Sequence, residues 1–283
     1  MWRSASEGPK RIVPDGCVDL VVGGGSVFVA GPDTAAWSSE AAGVVSGVRF
    51  VPGRAAAVLG VAADELRDRR VPLGELWGRS VAERLLEGSL SPVAAVAGRM
   101  ADLPAEDRVV AELIARLEVG AARVGEAAAG LARVDQAGAG LARVDQAAAR
   151  PARVDQAAAE LARAGEAATL ARSGGGGQPA QPSTEVAAAI AGLGVVSERR
   201  LRRRFVQAVG YGPATYLRVS RFQRAVALAP RISGLAALAA AAGYADQAHL
   251  SRECRALTGL TPRDYFPRRS TVDVAVRDRL RSA

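Results

Sequence analysis

Two different spacings of apolar residues divide the chain. In the first fifty residues, short β-branched segments alternate with turn residues, which predicts strands at Cys17–Val22, Ser26–Ala30 and Val44–Val51. The glycines 23–25 lie between the first two strands and favour a tight hairpin turn. From Arg54 onward the apolar residues recur at helical spacing. Five helices are predicted there: Ala55–Leu59, Ala63–Arg67, Leu73–Trp77, Ser80–Glu87 and Pro92–Met100.

A sixth predicted helix, Pro104–Glu118, carries an apolar stripe at spacings of three and four residues. Such a stripe is buried in a folded protein. We expect it either to pack on the strands and helices before it, which we favour, or to form a dimer contact. Residues 1–118 are therefore predicted to be one small α/β domain of mixed strands and helices. The stripe consists of Val109, Val110, Leu113, Ile114 and Leu117.

Residues 119–172 are an alanine-rich repeat with a period of ten. Ten residues turn a helix through about 1000°, so each unit lags the previous one by about 80°. The apolar residues then spiral around the helix, whereas a coiled coil needs a period of seven or eleven. We therefore interpret the repeat as a low-complexity helical spacer, in preference to a dimerising rod. Residues 173–183, SGGGGQPAQPS, are predicted to be a flexible linker.

Residues 184–267 contain one pattern twice, and it predicts an all-α domain. Each copy has a short apolar helix followed, beyond a glycine, by a helix with one polar and one apolar face. Ser197 is the predicted N-cap of the second helix in the first copy, and Asp246 is its counterpart in the second copy. Each copy therefore has the form of a helix-turn-helix unit.

The two polar faces carry side chains suited to nucleic acid. A guanidinium group can bind a guanine edge or a phosphate through two parallel hydrogen bonds. The outward positions are Arg199, Arg202 and Arg203 in the first copy and Gln247, Ala248 and Arg252 in the second. His249 stands near the start of the second outward helix, and the sequence leaves open whether it contacts DNA or serves packing or capping. The predicted inward residues are Leu201, Phe205, Leu250, Cys254 and Leu257.

Several short motifs in this region occur in a fixed order: GYGP at 210–213, AGY at 242–244, DQ at 246–247, LSR at 250–252 and GLTP at 259–262. With the connector TYLRVSRFQRAVALA, they make residues 184–267 resemble the C-terminal DNA-binding domain of AraC-type transcription regulators. The resemblance implies two helix-turn-helix units, joined by one helix, that read two successive major-groove segments. It also implies base contacts at the six outward positions named above. Ala248 departs from the family pattern because it cannot donate a hydrogen bond, and Cys254 stands where a larger apolar residue is usual.

The N-terminal segment is similar, less specifically, to the first domain of an actinobacterial-type subgroup of these regulators. The similarity rests on PDGCVDLVV, VFVAGPDTAAW and GVRFVPG. It implies that residues 1–118 either sense a small-molecule effector or mediate assembly, such as a homodimer.

The positive charge of the chain is concentrated at its C-terminal end. The whole chain has a formal charge of +8, and residues 185–267 hold 12 Arg against 5 Asp and Glu, a net of +7. The tail, residues 268–283, adds 5 Arg and 2 Asp, which leaves the first 184 residues slightly acidic. A basic module beside a near-neutral domain indicates a polyanionic partner, here double-stranded DNA.

Other chemistry has little support in the sequence. One histidine and two distant cysteines predict no metal site and no disulfide. Asp15, Cys17 and Asp19 share one side of a predicted strand, but no activating base is evident beside the thiol. No nucleotide-binding glycine motif and no catalytic triad is present, so we predict no enzyme, no catalytic residue and no cofactor. With no signal pattern and no long apolar run, we expect a cytoplasmic protein without a membrane partner.

We therefore predict a multidomain, sequence-specific DNA-binding transcription regulator. One alternative is a DNA-binding adaptor whose N-terminal domain binds a protein instead of a small molecule. The other is a DNA-modifying enzyme that uses the C-terminal domain only for targeting, for which Cys17 is the sole candidate nucleophile.

Overall fold

The computed structural model describes residues 1–39, 43–101, 103, 106–119, 182–191, 193 and 197–266. Residues 120–181 and 267–283 hold nearly all of the predicted repeat and linker and the whole basic tail, so those predictions lie outside the described residues. Residues 1–101 are called the N-terminal unit below.

Seven strands of the N-terminal unit form two antiparallel sheets. The larger sheet has the order β1-β6-β3-β4-β7, and β2 and β5 pair separately as a two-stranded ribbon. All three predicted strands are confirmed, two of them with ends shifted by one residue. The strands are β1 Trp2–Ser6, β2 Lys10–Ile12, β3 Val18–Gly23, β4 Ser26–Ala30, β5 Trp37–Ser39, β6 Gly43–Phe50 and β7 Arg70–Pro72.

The predicted hairpin turn is also confirmed. Gly23 of β3 pairs with Ser26 of β4, so Gly24 and Gly25 form a two-residue turn. Their φ angles are 59° and 73°. A two-residue turn with both φ angles positive matches the right-handed twist of the strands, and glycine adopts it without steric cost.

Short helices cover one face of the larger sheet and close the core of the N-terminal unit. Leu20 and Val29 of the central strands are fully buried, as is Leu73 from the helical layer. The five predicted helices are all present, although the second, Ala63–Leu66, is a 3-10 helix. The α-helices are α1 Ala55–Leu59, α2 Leu73–Trp77, α3 Arg79–Leu86 and α4 Pro92–Met100.

Helices joined by turns make up the rest of the described chain. As predicted, it contains two helix-turn-helix units, α6–α7 and α9–α10, joined by the long helix α8. The helices are α5, residues 108–119, α6 Pro182–Ile190, α7 Glu198–Val209, α8 Pro213–Leu228, α9 Leu235–Ala242, α10 Gln247–Thr258 and α11 Pro262–Tyr265.

The stripe of α5 contacts the N-terminal unit, as favoured, and also a second region that the sequence did not suggest. A Cβ atom added to Gly53 would lie 3.1 Å from Ile114 Cδ1. Leu113 and Leu117 are 0% and 1% exposed and lie in one apolar cluster with Phe205 of α7 and Tyr216 of α8. The Tyr216 hydroxyl donates to Glu118 Oε1 at 2.6 Å. The stripe therefore completes the core of the first helix-turn-helix unit, because the inward faces of α7 and α8 leave an apolar surface that α5 covers.

Consequently, the C-terminal helical region is built from two separated stretches of sequence. Arg116 Nη1 donates to the carbonyl of Ala191, just beyond the end of α6, at 2.9 Å. The helix begins later than predicted because the Asp107 carboxylate accepts from the amides of Val109 and Val110, both at 3.2 Å. The predicted boundary at residue 184 leaves out α5, which contributes to the same core.

Candidate nucleic-acid interface

Local contacts fix both ends of helix α7, and burial of one of its sides leaves an arginine-rich side exposed. Ser197 Oγ accepts from the amide of Arg200 at 3.3 Å, which confirms the predicted N-cap. Gly210, with φ of 99°, ends the helix, and its amide bonds the carbonyl of Val206. Leu201 and Phe205 are 2% and 0% exposed, so the opposite side of the helix faces solvent.

The three arginines predicted to contact bases all lie on that exposed side. Arg199 and Arg203 have no side-chain partner among the described residues, so both guanidinium groups are available to a ligand. Arg202 pairs with Glu198, one turn earlier on the same helix. An exposed pair of this spacing contributes only about 0.3–0.5 kcal/mol, so a phosphate or a guanine can displace Glu198. The spacing i, i+4 was a signal for this pair that the sequence prediction did not use.

Helix α10 is the corresponding element of the second unit. Asp246 Oδ1 accepts from the amide of His249 at 2.6 Å, which confirms its role as N-cap. Leu250 and Cys254 are fully buried, whereas Gln247, Ala248 and Arg252 are exposed. The second unit therefore exposes one arginine in the first two turns of its outward helix, where the first unit exposes four, Arg199, Arg200, Arg202 and Arg203.

Two regions of the chain match models of known protein families. A family model described as a helix-turn-helix domain matches residues 190–268, and one described as a domain of unknown function matches residues 1–72. Residues 190–268 are an AraC-type helix-turn-helix domain. Such domains bind DNA and act in transcription regulation. No curated protein and no solved structure matches the chain.

Three arginines near the AraC-type domain's arginine face are already paired with carboxylates of the protein. Arg204 Nε donates to Asp107 Oδ2 at 2.8 Å, and Arg218 Nε donates to Glu253 Oε2 at 2.9 Å. Arg221 is 4% exposed and donates to Glu185 at 2.6 Å. Arg221 is therefore not available to a phosphate group. Of the three, Arg221 is buried and depends on the Glu185 carboxylate to offset its lost solvation, whereas the Arg204 and Arg218 side chains are each 37% exposed.

His249 packs within the domain. Its ring lies edge-on to the Tyr244 ring, with 5.1 Å between centroids, and its Nδ1 atom is buried without a hydrogen-bond partner. Burial lowers the pKa of the imidazole, and the Arg221 charge acts in the same direction. The ring is therefore neutral at pH 7, and the packing alternative agrees with the contact observed. A DNA contact through the rest of the side chain stays a prediction.

The carboxylate and thiol cluster of the N-terminal unit forms ion pairs. Arg49 Nη2 lies 2.7 Å from Asp15 Oδ2 and 2.9 Å from Asp19 Oδ2. Arg49 is a basic neighbour that the sequence analysis did not find, but both carboxylates already engage it. Burial raises the pKa of the Cys17 thiol to about 12. A protonated thiol is a poor nucleophile, so these residues give no support to a DNA-modifying enzyme.

The described residues show neither a metal-binding cluster nor a membrane-spanning helix. Within the described ranges, no group of three or more His, Cys, Asp or Glu is placed to hold a metal ion. No helix in the same part of the chain is both long and apolar enough to cross a bilayer.

Proposed function

We propose that this chain regulates transcription by binding a specific DNA sequence, with α7 and α10 in two adjacent major-groove segments. The observation that carries the proposal is the pair of capped helices, each with a buried apolar side and an exposed polar side. A helix of this kind fits the major groove, where each base pair presents its own pattern of donors and acceptors.

We assign the reading of bases to the exposed residues in the first two turns of each helix. Arg199, Arg202 and Arg203 offer bidentate donors for guanine, and Arg252 does so in the second unit. Gln247 suits adenine, while Ala248 limits readout to contact with a thymine methyl group. The first unit supplies more charged donors, so we expect it to contribute more of the binding free energy.

The test is substitution of Arg202, with Arg200 as a matched control. Both are exposed arginines of α7, but Arg200 lies about 160° away from Arg202 around the helix. Arg202→Ala should weaken binding to the preferred site by about 1–3 kcal/mol and relax base preference at one position. Arg200→Ala should leave the base preference unchanged.

Binding is measured by fluorescence anisotropy with the full chain, on the preferred site and on random DNA at two salt concentrations. Equal losses for Arg202→Ala on specific and random DNA would contradict the base-reading role. Recognition of an effector or a protein partner by the N-terminal unit stays a prediction from the resemblance, as does a homodimer.

A further inference from the structure

The small ribbon of the N-terminal unit holds the C-terminal end of α10. Arg11, in β2, donates from Nη1 to the carbonyl of Thr258 at 2.7 Å. The amide of Ala36, which precedes β5, donates to the carbonyl of Leu257 at 2.8 Å. The last carbonyls of a helix have no partner within it, and a cation is favourable at that end. One side of the ribbon therefore satisfies two carbonyls that α10 cannot satisfy alone.

The same unit also contacts the C-terminal end of α7. A Cβ atom added to Gly210 would lie 2.3 Å from Pro32 Cγ and 3.0 Å from the carbonyl oxygen of Ala63. The backbone at the end of α7 therefore lies directly against Pro32 and the 3-10 helix. Both outward helices of the AraC-type domain end on the N-terminal unit.

Further contacts join the N-terminal unit to α8, the helix between the two units. Gln223 Nε2 donates to the carbonyl of Pro14 at 2.6 Å. A Cβ on Gly16 would lie 3.5 Å from the Tyr211 hydroxyl and 3.5 Å from the Tyr216 ring. The loop 14–16 thus lies against α8 and the residues just before it. The N-terminal unit therefore contacts the end of α7, helix α8 and the end of α10.

The ribbon is itself fixed to the larger sheet. Trp37 of β5 donates from Nε1 to Asp33 at 2.9 Å, and the Arg70 guanidinium lies 3.9 Å from the centre of the Trp37 ring. Arg70 belongs to β7 and also pairs with Asp33 at 2.8 Å. Because these groups connect the ribbon to an edge strand of the sheet, a shift of the sheet is transmitted to Arg11.

These contacts lie at the ends of α7 and α10 that are remote from the predicted base-reading residues. A helix of 12 residues is about 18 Å long. A tilt of about 10° about its C-terminal end moves its N-terminal end by about 3 Å, close to the rise of one base pair. A tilt of this size therefore changes the spacing between the two DNA-contacting surfaces by about the rise of one base pair.

We propose that Arg11 is a positioning residue for α10, and that through it the N-terminal unit sets the spacing between the two helix-turn-helix units on DNA. The proposal rests on the proposed function. On this proposal, residues 1–101 help to position the DNA-contacting helices. They can do so without blocking DNA, because they contact the C-terminal ends of α7 and α10 and leave the exposed faces of both helices free.

The test compares Arg11→Glu with Lys10→Glu in the full chain. Lys10 is exposed in the same strand, and its amino group bonds Ser4 within the N-terminal unit, so the two variants change the charge equally. A carboxylate at position 11 faces the carbonyls of Leu257 and Thr258 and cannot donate to them. Arg11→Lys restores a donor, and Arg11→Met removes it without adding a negative charge in case Arg11→Glu does not fold.

Each protein is titrated with its preferred DNA site and with the same site lengthened by one base pair between the two contacted segments. We expect the wild type, Lys10→Glu and Arg11→Lys to lose at least tenfold in affinity on the lengthened site. Arg11→Glu and Arg11→Met should bind the original site more weakly and distinguish the two sites by less than threefold.

Two results overturn the proposal. One is an unchanged preference for the original spacing in folded Arg11→Glu or Arg11→Met. The other is a loss of affinity by the same factor on both sites, which indicates a general effect of charge or folding. Failure of the proposed function is seen separately, as a wild type that binds its selected site no more tightly than random DNA.

Discussion

Truncation of Leu113 to alanine tests whether α5 belongs to the core of the AraC-type domain. Leu113 is fully buried and lies in the apolar cluster that contains Phe205 and Tyr216. Removal of its isobutyl group leaves a cavity that the neighbouring helices can fill only in part. We expect a large loss of stability in the AraC-type domain, although its helices lie more than seventy residues away from Leu113 in the sequence.

The loss should be about 3 kcal/mol, within the range of about 2–5 kcal/mol for buried leucine truncations. This is about 150-fold in the unfolding equilibrium. With a urea m-value of about 1.5 kcal/mol/M, the midpoint should fall by about 2 M. The control is Leu86→Ala, the same change at a leucine that is 47% exposed at the end of α3, which should cost less than about 1 kcal/mol.

Urea unfolding and hydrogen exchange of the full chain together separate the two regions. The three tryptophans, at positions 2, 37 and 77, all belong to the N-terminal unit, so their fluorescence follows that unit. In Leu113→Ala, exchange should accelerate more in peptides from α7 and α8 than in peptides from β3 and β4. The reasoning is refuted by a loss below about 1 kcal/mol, or by faster exchange confined to residues 1–101.

Two further predictions concern the repeat and the buried thiol. Deletion of residues 132–161, which are three repeat units, should change DNA affinity by less than about threefold. The remaining 32 residues between α5 and α6 can still span up to about 100 Å. A loss of affinity of more than tenfold in a binding titration would contradict this. Burial raises the pKa of Cys17 from 9.0 to about 12, so folding opposes ionisation of the thiol. The contribution of this group to the free energy of unfolding is constant below pH 9 and falls as the pH rises from 9 toward 12. Iodoacetamide at pH 8 should therefore label Cys17 at least about tenfold more slowly in the native chain than in urea, and equal rates in mass spectrometry would contradict the burial.

Local chemistry made much of the fold predictable. Ser197 and Asp246 were recognisable as N-caps because each precedes a run with helical periodicity, and both cap as expected. Gly24 and Gly25 were recognisable as a turn because they separate two β-branched segments. In each case the interacting residues lie within a few positions of each other, so the local sequence is enough to predict the structure.

Contacts between distant segments were not predictable in the same way. The stripe on α5 showed that Leu113 is buried but not what buries it, because its partner follows a repeat of about fifty residues. Arg204 follows two exposed arginines in the sequence, yet its own carboxylate partner, Asp107, lies 97 positions earlier. The bonds from Arg11 to Thr258 and from Gln223 to Pro14 have no signal in either local sequence. The charge pattern identified the DNA-binding region correctly but could not show which arginines are already paired.

Selection of bound sequences from random DNA, with the purified full chain, tests the central claim most directly. A fragment that begins at residue 184 is unsuitable because it lacks α5. The account predicts one enriched sequence with two conserved segments about one helical turn, or 10–10.5 base pairs, apart. It also predicts that Arg202→Ala loses base preference in one segment only. Recovery of no enriched sequence, while the protein still binds DNA in a salt-dependent manner, would contradict sequence-specific regulation by this domain.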